Sequence, residues 1–215
     1  MRYIVGFLDD EYDSISNMRR SLAKHGITLE VLDDIEDLLK LDKLVDAIMD
    51  KEINCLFVDY DLMKFRSRKW GTTVIRETLD LLPELPCFLI TNYVGEGERE
   101  KIVPKSCIWD KAIFLEESDS REFTEFVNGV KNQVDCFSKN LELNFSQYEL
   151  LYSRSKHQHL TNDELRQLKR LYQLLNSYQY IDDIPDILLE GNSRDELKTA
   201  VDLLSKIEKK LGEMQ

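Results

Sequence analysis

The sequence predicts an α/β domain on a five-stranded parallel sheet, residues 1–135, followed by an all-α region, residues 136–215. Three observations carry that expectation. Up to about residue 115, short apolar runs alternate with amphipathic helical stretches, the pattern of a parallel sheet covered by helices on both faces. Most of those runs stop at a chemically active side chain. From about residue 118 apolar residues recur at spacings of three and four, as in helices.

"RYIVGFL" is the first strand and ends at Asp9 and Asp10. Ile15, Met18 and Leu22 mark a helix that Gly26 stops. "ITLEVL" is the second strand, and Ile35, Leu38, Leu39, Val45, Ile48 and Met49 mark one further helix. "INCLFVDY" is the third strand and ends at Asp59, with Asp61 two residues on. "GTTVIRETLDLL" is a helix, "PCFLITN" a fourth strand ending at Thr91, and "GEGEREKIV" a weak helix. "SCIWDKAIF" is the fifth strand, with Lys111 in it or just after it.

Asp119 and Glu122 form a capping pattern ahead of Phe123, Val127, Val130, Val134, Phe137 and Leu141. "LELNFSQY" fits helix and strand alike, and polar "YSRSKHQH" is expected to be a linker. Thr161–Glu164 and Ser193–Glu196 are capping boxes, opening helices marked by Leu165 to Leu175 and Leu197 to Leu211.

The charge is −12, with 16 basic and 25 acidic residues up to residue 119 and 13 and 16 beyond it. Neither part has the basic field that phosphate-backbone binding requires, so no nucleic acid is expected. No apolar stretch approaches the ~20 residues that span a bilayer, so no membrane is expected either. "MRYIVGFLDDE" lacks the pattern of a signal peptide, and the expected location is cytoplasmic. The four cysteines are widely spaced, and three of them sit in apolar runs that read as strands, so buried thiols are expected rather than disulfides or metal ligands. His157 and His159 have no acid or thiol at a metal-site spacing.

In open parallel sheets ligands sit beyond the carboxyl ends of the strands. Asp9, Asp10, Asp59, Thr91 and Lys111 would all meet at that edge. Clustered carboxylates repel unless a hard cation lies among them, and Mg2+, which takes oxygen ligands and keeps several waters, suits the set. A hydroxyl and an ammonium beside it would complete a cradle for a phosphoryl group, with Asp59 as nucleophile. Taken singly, the acidic pair could cap the next helix through Asp13 or Ser14, and Lys111 could be a surface charge.

"FLDDE", "LFVDYDLM", "FLITN" and "WDKAIF" together resemble the receiver domain of two-component response regulators. The resemblance covers roughly residues 1–135 and implies a flavodoxin-like fold. It implies that Asp59 accepts a phosphoryl group from a histidine kinase or phosphotransfer protein. Asp10 and Asp59 would then bind Mg2+ directly, Asp9 through water and Asp61 through its backbone carbonyl. Thr91 would bond a phosphoryl oxygen, and Lys111 would pair with Asp59 and then with the phosphate. Such a protein is a phosphoacceptor rather than an enzyme acting on other substrates.

The chain departs from the family at Lys64, where many receivers have proline, and at Asn92 and Ala112. Gly71 comes twelve residues after Asp59, later than usual, leaving a longer basic loop, "KFRSRKW". The aromatic that usually reports phosphorylation is displaced to the neighbourhood of Ile108 and Trp109. These departures suit a second reading, a pseudo-receiver acting by constitutive contact or as a phosphate sink. A dehalogenase-like phosphatase would need its DxD after the first strand, so the motif order opposes it. The helical region is expected to bind protein, with a homodimer as the favoured use of its long apolar stripe.

Overall fold

The computed structural model describes residues 2–9, 15–63, 68–115, 120–181, 185 and 187–188. Its strands are β1 Tyr3–Leu8, β2 Ile27–Val31, β3 Cys55–Val58, β4 Asp61–Leu62, β5 Lys69–Trp70, β6 Cys87–Thr91 and β7 Ile108–Asp110. Its helices are α1 Ile15–Lys24, α2 Ile35–Leu38, α3 Leu41–Asp50, α4 Gly71–Leu81, α5 Val94–Glu100, α6 Arg121–Ser155 and α7 Asn162–Ser177. The chain divides into two compact units, Met1–Leu141 and Glu142–Gln215, so the division falls within α6.

The main sheet runs β2-β1-β3-β6-β7 with every pairing parallel. Counting its strands alone, the order is 2-1-3-4-5, the flavodoxin-like arrangement. "CLFV" and "CFLIT" are buried at every position, because central parallel strands are covered on both faces. The edge strand "ITLEV" instead exposes Thr28 between buried Ile27 and Leu29.

α1 buries Ile15, Met18 and Leu22 as its spacing predicts. Gly26, at φ +72, follows it in the left-handed conformation that glycine adopts without strain. The single helix expected from Ile35 to Met49 is two. Lys40 is extended, at φ −79 and ψ 116, and separates α2 from α3 although the apolar spacing continues across it. β7 is shorter than "SCIWDKAIF" suggested. The Ala112 N–H donates to Asp110 Oδ1 at 2.8 Å, and the chain turns into a 3-10 segment, Lys111–Phe114.

Ser120 Oγ accepts the Phe123 N–H at 3.1 Å at the start of α6, while Asp119, the expected cap, lies outside the described residues. α6 runs for 35 residues through "LELNFSQY", so the expected linker begins only after Ser155. Phe123, Val127, Val130, Val134, Phe137 and Leu141 are buried as expected. So is Phe126, whose ring centroid lies 5.6 Å from Phe57, 5.5 Å from Phe114 and 5.2 Å from Trp109.

In the second unit Tyr148 and Leu151 pack with Leu168, Leu171 and Leu175 of α7, and the Thr161–Glu164 capping box opens α7. Phe123 to Leu141 are thus buried within the first unit, and Tyr148 and Leu151 within the second. The Ser193–Glu196 box and the Leu197–Leu211 stripe lie outside the described residues. Among the described residues no helix is long and apolar enough to cross a membrane.

Phe126→Ala should cost about 3–5 kcal/mol, seen as a lower urea midpoint. Leu150→Ala, at an exposed position of the same helix, should stay within about 0.5 kcal/mol. Equal losses would show that α6 is not anchored through Phe126.

Candidate functional site

The parallel register brings four side chains to the carboxyl edge of the sheet. Asp9 follows β1, Asp59 follows β3, Thr91 ends β6 and Lys111 follows β7. The Asp59 N–H donates to the Leu8 carbonyl at 2.9 Å, so the β1–β3 ladder itself sets Asp59 beside Asp9. All four side chains are buried, and Lys111, at 8% exposure, is an uncommon place for an ammonium.

Lys111 Nζ lies 2.7 Å from Asp9 Oδ2 and 3.1 Å from Asp59 Oδ1. The other Asp59 oxygen, Oδ2, accepts the Asp61 N–H at 3.1 Å, which fixes the carboxylate plane. Burial works against the charged form of Lys111. The hydrogen bond to Asp9 and the charges of Asp59 and Asp9 outweigh it, so its pKa lies above the ordinary 10.5. Thr91 Oγ1 accepts the Tyr93 N–H at 3.1 Å, which leaves its own O–H to donate elsewhere.

Two carboxylates against one ammonium leave a buried net charge of about −1. That charge and the all-oxygen donor set fit a hard divalent cation. Asp9 and Asp59 are the described carboxylates there, and Asp61 opens β4, its Oδ1 accepting the Met63 N–H at 3.2 Å. Asp10 lies outside the described residues, among which no group of three or more His, Cys, Asp or Glu is arranged around a metal.

The basic loop is organised at its ends, which the sequence did not suggest. β4 and β5 form a short antiparallel ribbon pairing Asp61 with Trp70 and Leu62 with Lys69. Lys69 Nζ meets Glu77 Oε2 of α4 at 2.5 Å. Gly71 closes the ribbon, its N–H donating to the Tyr60 carbonyl at 2.8 Å. A Cβ on Gly71 would lie 1.9 Å from the Asp59 carbonyl oxygen, so only glycine fits against the Asp59 backbone.

Sequence reasoning missed an aromatic group beside the site. Tyr60 stacks on Trp70 with centroids 4.8 Å apart, and Tyr93 lies 6.2 Å from Tyr60. Tyr60 Oη donates to Glu100 Oε1 at 2.9 Å, and Thr72 Oγ1 bonds the other oxygen of that carboxylate. Burial, together with the Glu100 carboxylate, pushes the Tyr60 phenol up to about 12, so it stays a donor at neutral pH. The only sequence signal for this group is the run of aromatics next to site residues; nothing local marks Glu100.

A separate cavity of about 370 Å3, lined in part by Ile75, Leu79, Cys107, Gln133 and Phe137, contains none of the site residues. The charges, not the cavity, define the candidate site. Of the four thiols, Cys55, Cys87 and Cys107 are buried and Cys136 is exposed, and all are free.

No family model and no curated protein matches the chain. Among solved structures it is similar to the anti-anti-sigma factor PhyR from Bartonella quintana, at 12% identity and a TM-score of 0.43. That match covers 66% of this chain, which spans about half, 51%, of the PhyR chain. A fusion carrying the trimeric coiled coil of yeast Spc42 matches at 15% identity and a TM-score of 0.41, covering 83% of this chain and 97% of that one. Similarity at this level carries no argument, and the fold rests on the strand order itself.

Lys111→Met leaves Asp9 and Asp59 facing each other, and at neutral pH in a chelating buffer should cost about 3–5 kcal/mol by urea unfolding. The native pKa of Lys111 is raised above 10.5, so its contribution is fully present below that value and is lost as pH rises through the raised one. The gap between wild type and variant should therefore close on the alkaline side. A gap that stays constant there would show that the ammonium charge is not what holds the edge together.

Proposed function

We propose that this chain is a response-regulator-like signalling protein whose Asp59 accepts a phosphoryl group in a Mg2+-dependent reaction. The observation that carries the reading is the buried ammonium of Lys111 shared between Asp9 and Asp59 at the carboxyl edge of the sheet. A histidine kinase or phosphotransfer protein is the proposed donor, and the helical region the proposed protein-binding output.

The chemistry needs little from the protein beyond placement and charge. A carboxylate oxygen of Asp59 forms a bond to phosphorus while the bond from phosphorus to the donor's imidazole nitrogen breaks. The electron pair leaves with the imidazole. Mg2+, held by Asp10, Asp59 and the Asp61 carbonyl, with Asp9 acting through water, would neutralise charge on the phosphoryl oxygens. Lys111 exchanges its hold on Asp59 for a phosphoryl oxygen, keeping Asp9 as its second partner. The free O–H of Thr91 donates to another phosphoryl oxygen. The Asp61 N–H keeps Asp59 Oδ2 in place while the acyl phosphate forms.

A constitutive interaction module is the second reading, and the setting of Trp109 favours it. Its ring is edge-on to Phe126, and its N–H donates to the Ser106 carbonyl at 3.1 Å, which holds it in place.

Intact mass measurement after incubation with acetyl phosphate and Mg2+ should show one added phosphoryl group, labile to hydroxylamine and absent in Asp59→Asn. Labelling of that variant, or no labelling of the wild type, would sink the assignment. Millimolar Mg2+ alone should raise the melting temperature of the wild type, and raise that of Asp10→Ala less, because a ligand of the folded state stabilises it by mass action. Equal shifts would place the metal elsewhere.

A further inference from the structure

Each of the three aromatic residues beside the site is joined to a site group by the backbone. Tyr60 directly follows Asp59. Trp70 directly precedes Gly71, which lies against the Asp59 carbonyl and donates to the Tyr60 carbonyl. Tyr93 donates its N–H to Thr91 Oγ1. Their rings meet, Tyr60 stacked on Trp70 and Tyr93 tilted against Tyr60. Glu100, the last residue of α5, takes the Tyr60 hydroxyl on one oxygen and Thr72 on the other. The group reaches the surface through Trp70, 38% exposed, and Tyr93, 48% exposed.

We propose that Tyr60, Trp70 and Tyr93, tied to α5 by Glu100, report the phosphorylation state of Asp59 at the protein surface. The inference rests on the phosphoacceptor reading above and adds its regulation. Thr91 can donate to a phosphoryl oxygen only by aiming its hydroxyl at it, and the Tyr93 N–H bonded to that oxygen moves with it. On the other side, a new substituent on Asp59 shifts the Asp59–Tyr60 backbone on which Gly71 is seated without clearance. Both displacements meet in one ring stack, and stacked rings lose contact over fractions of an ångström. Glu100 makes the stack and the end of α5 move together. Trp109, edge-on to Phe126 and bonded to the Ser106 carbonyl, takes no part.

Trp70 and Trp109 are the two tryptophans, so Trp109→Phe leaves Trp70 as the sole reporter. That full-length chain is incubated with acetyl phosphate and Mg2+, and emission and intact mass are followed on the same sample. Trp70 emission should change as the phosphoryl mass appears and return at the rate at which it is lost. Tyr93→Leu keeps the backbone N–H to Thr91, so it should gain the same mass while most of the emission change disappears. Glu100→Gln, which keeps an acceptor for Tyr60, should retain the change, and Glu100→Ala should lose it. Mass gain with unaltered Trp70 emission overturns the reporter alone, as does a full emission change in Tyr93→Leu. Absence of the mass gain overturns the phosphoacceptor reading and the reporter with it.

Discussion

One ammonium group held between two buried carboxylates is the constraint around which the carboxyl edge of the sheet is built. Lys111 reaches Asp9 and Asp59 from β7 across β6 and β3, so the triad exists only when the strands of the sheet are in register. Taking such charges out of water costs several kcal/mol per ion, which the pairing offsets only when its geometry is good. The edge is thus maintained against its own tendency to hydrate. Its charges are thus fixed in place by the fold rather than by solvent.

Packing supplies the rigidity that the charges require. β3 and β6 are buried at every position, and the rings of Phe57, Phe88, Phe114, Phe123 and Phe126 lock α6 against them. A strand so enclosed has no freedom to slide, and Asp59, one residue beyond β3, inherits that stillness. Loop residues such as Tyr93, with half-exposed side chains, keep the freedom to respond.

The sheet and its edge were legible because the physics that makes them is local. Runs such as "CLFV" announce a buried strand, and the polar residue that ends the run marks the carboxyl edge of the sheet. Asp9, Asp59, Thr91 and Lys111 could therefore be placed together before any coordinates, whereas Asp10 falls outside the described residues. The break at Lys40 was not legible, since apolar spacing continues across it and only the backbone angles interrupt it. "LELNFSQY" was ambiguous because Leu141 and Leu143 alternate as strand residues do. In the helix they fall on different sides, Leu141 buried and Leu143 exposed. The β4–β5 ribbon is too short for any period to show, and Glu100 lies forty residues from the tyrosine it bonds. Contacts of that kind leave no trace in local pattern.

The ribbon that closes on Gly71 separates the length of the loop from the geometry of Asp59. Asp61 and Leu62 are pinned to Trp70 and Lys69, and the seat of Gly71 on Asp59 lies on the near side of that closure. Chain inserted between Leu62 and Lys69 hangs beyond the pinned ends. Doubling its length adds only about 0.6 kcal/mol of closure entropy. Sequence between Leu62 and Lys69 can therefore be exchanged or lengthened, by natural drift or by design, while the Asp59 carboxylate keeps its position.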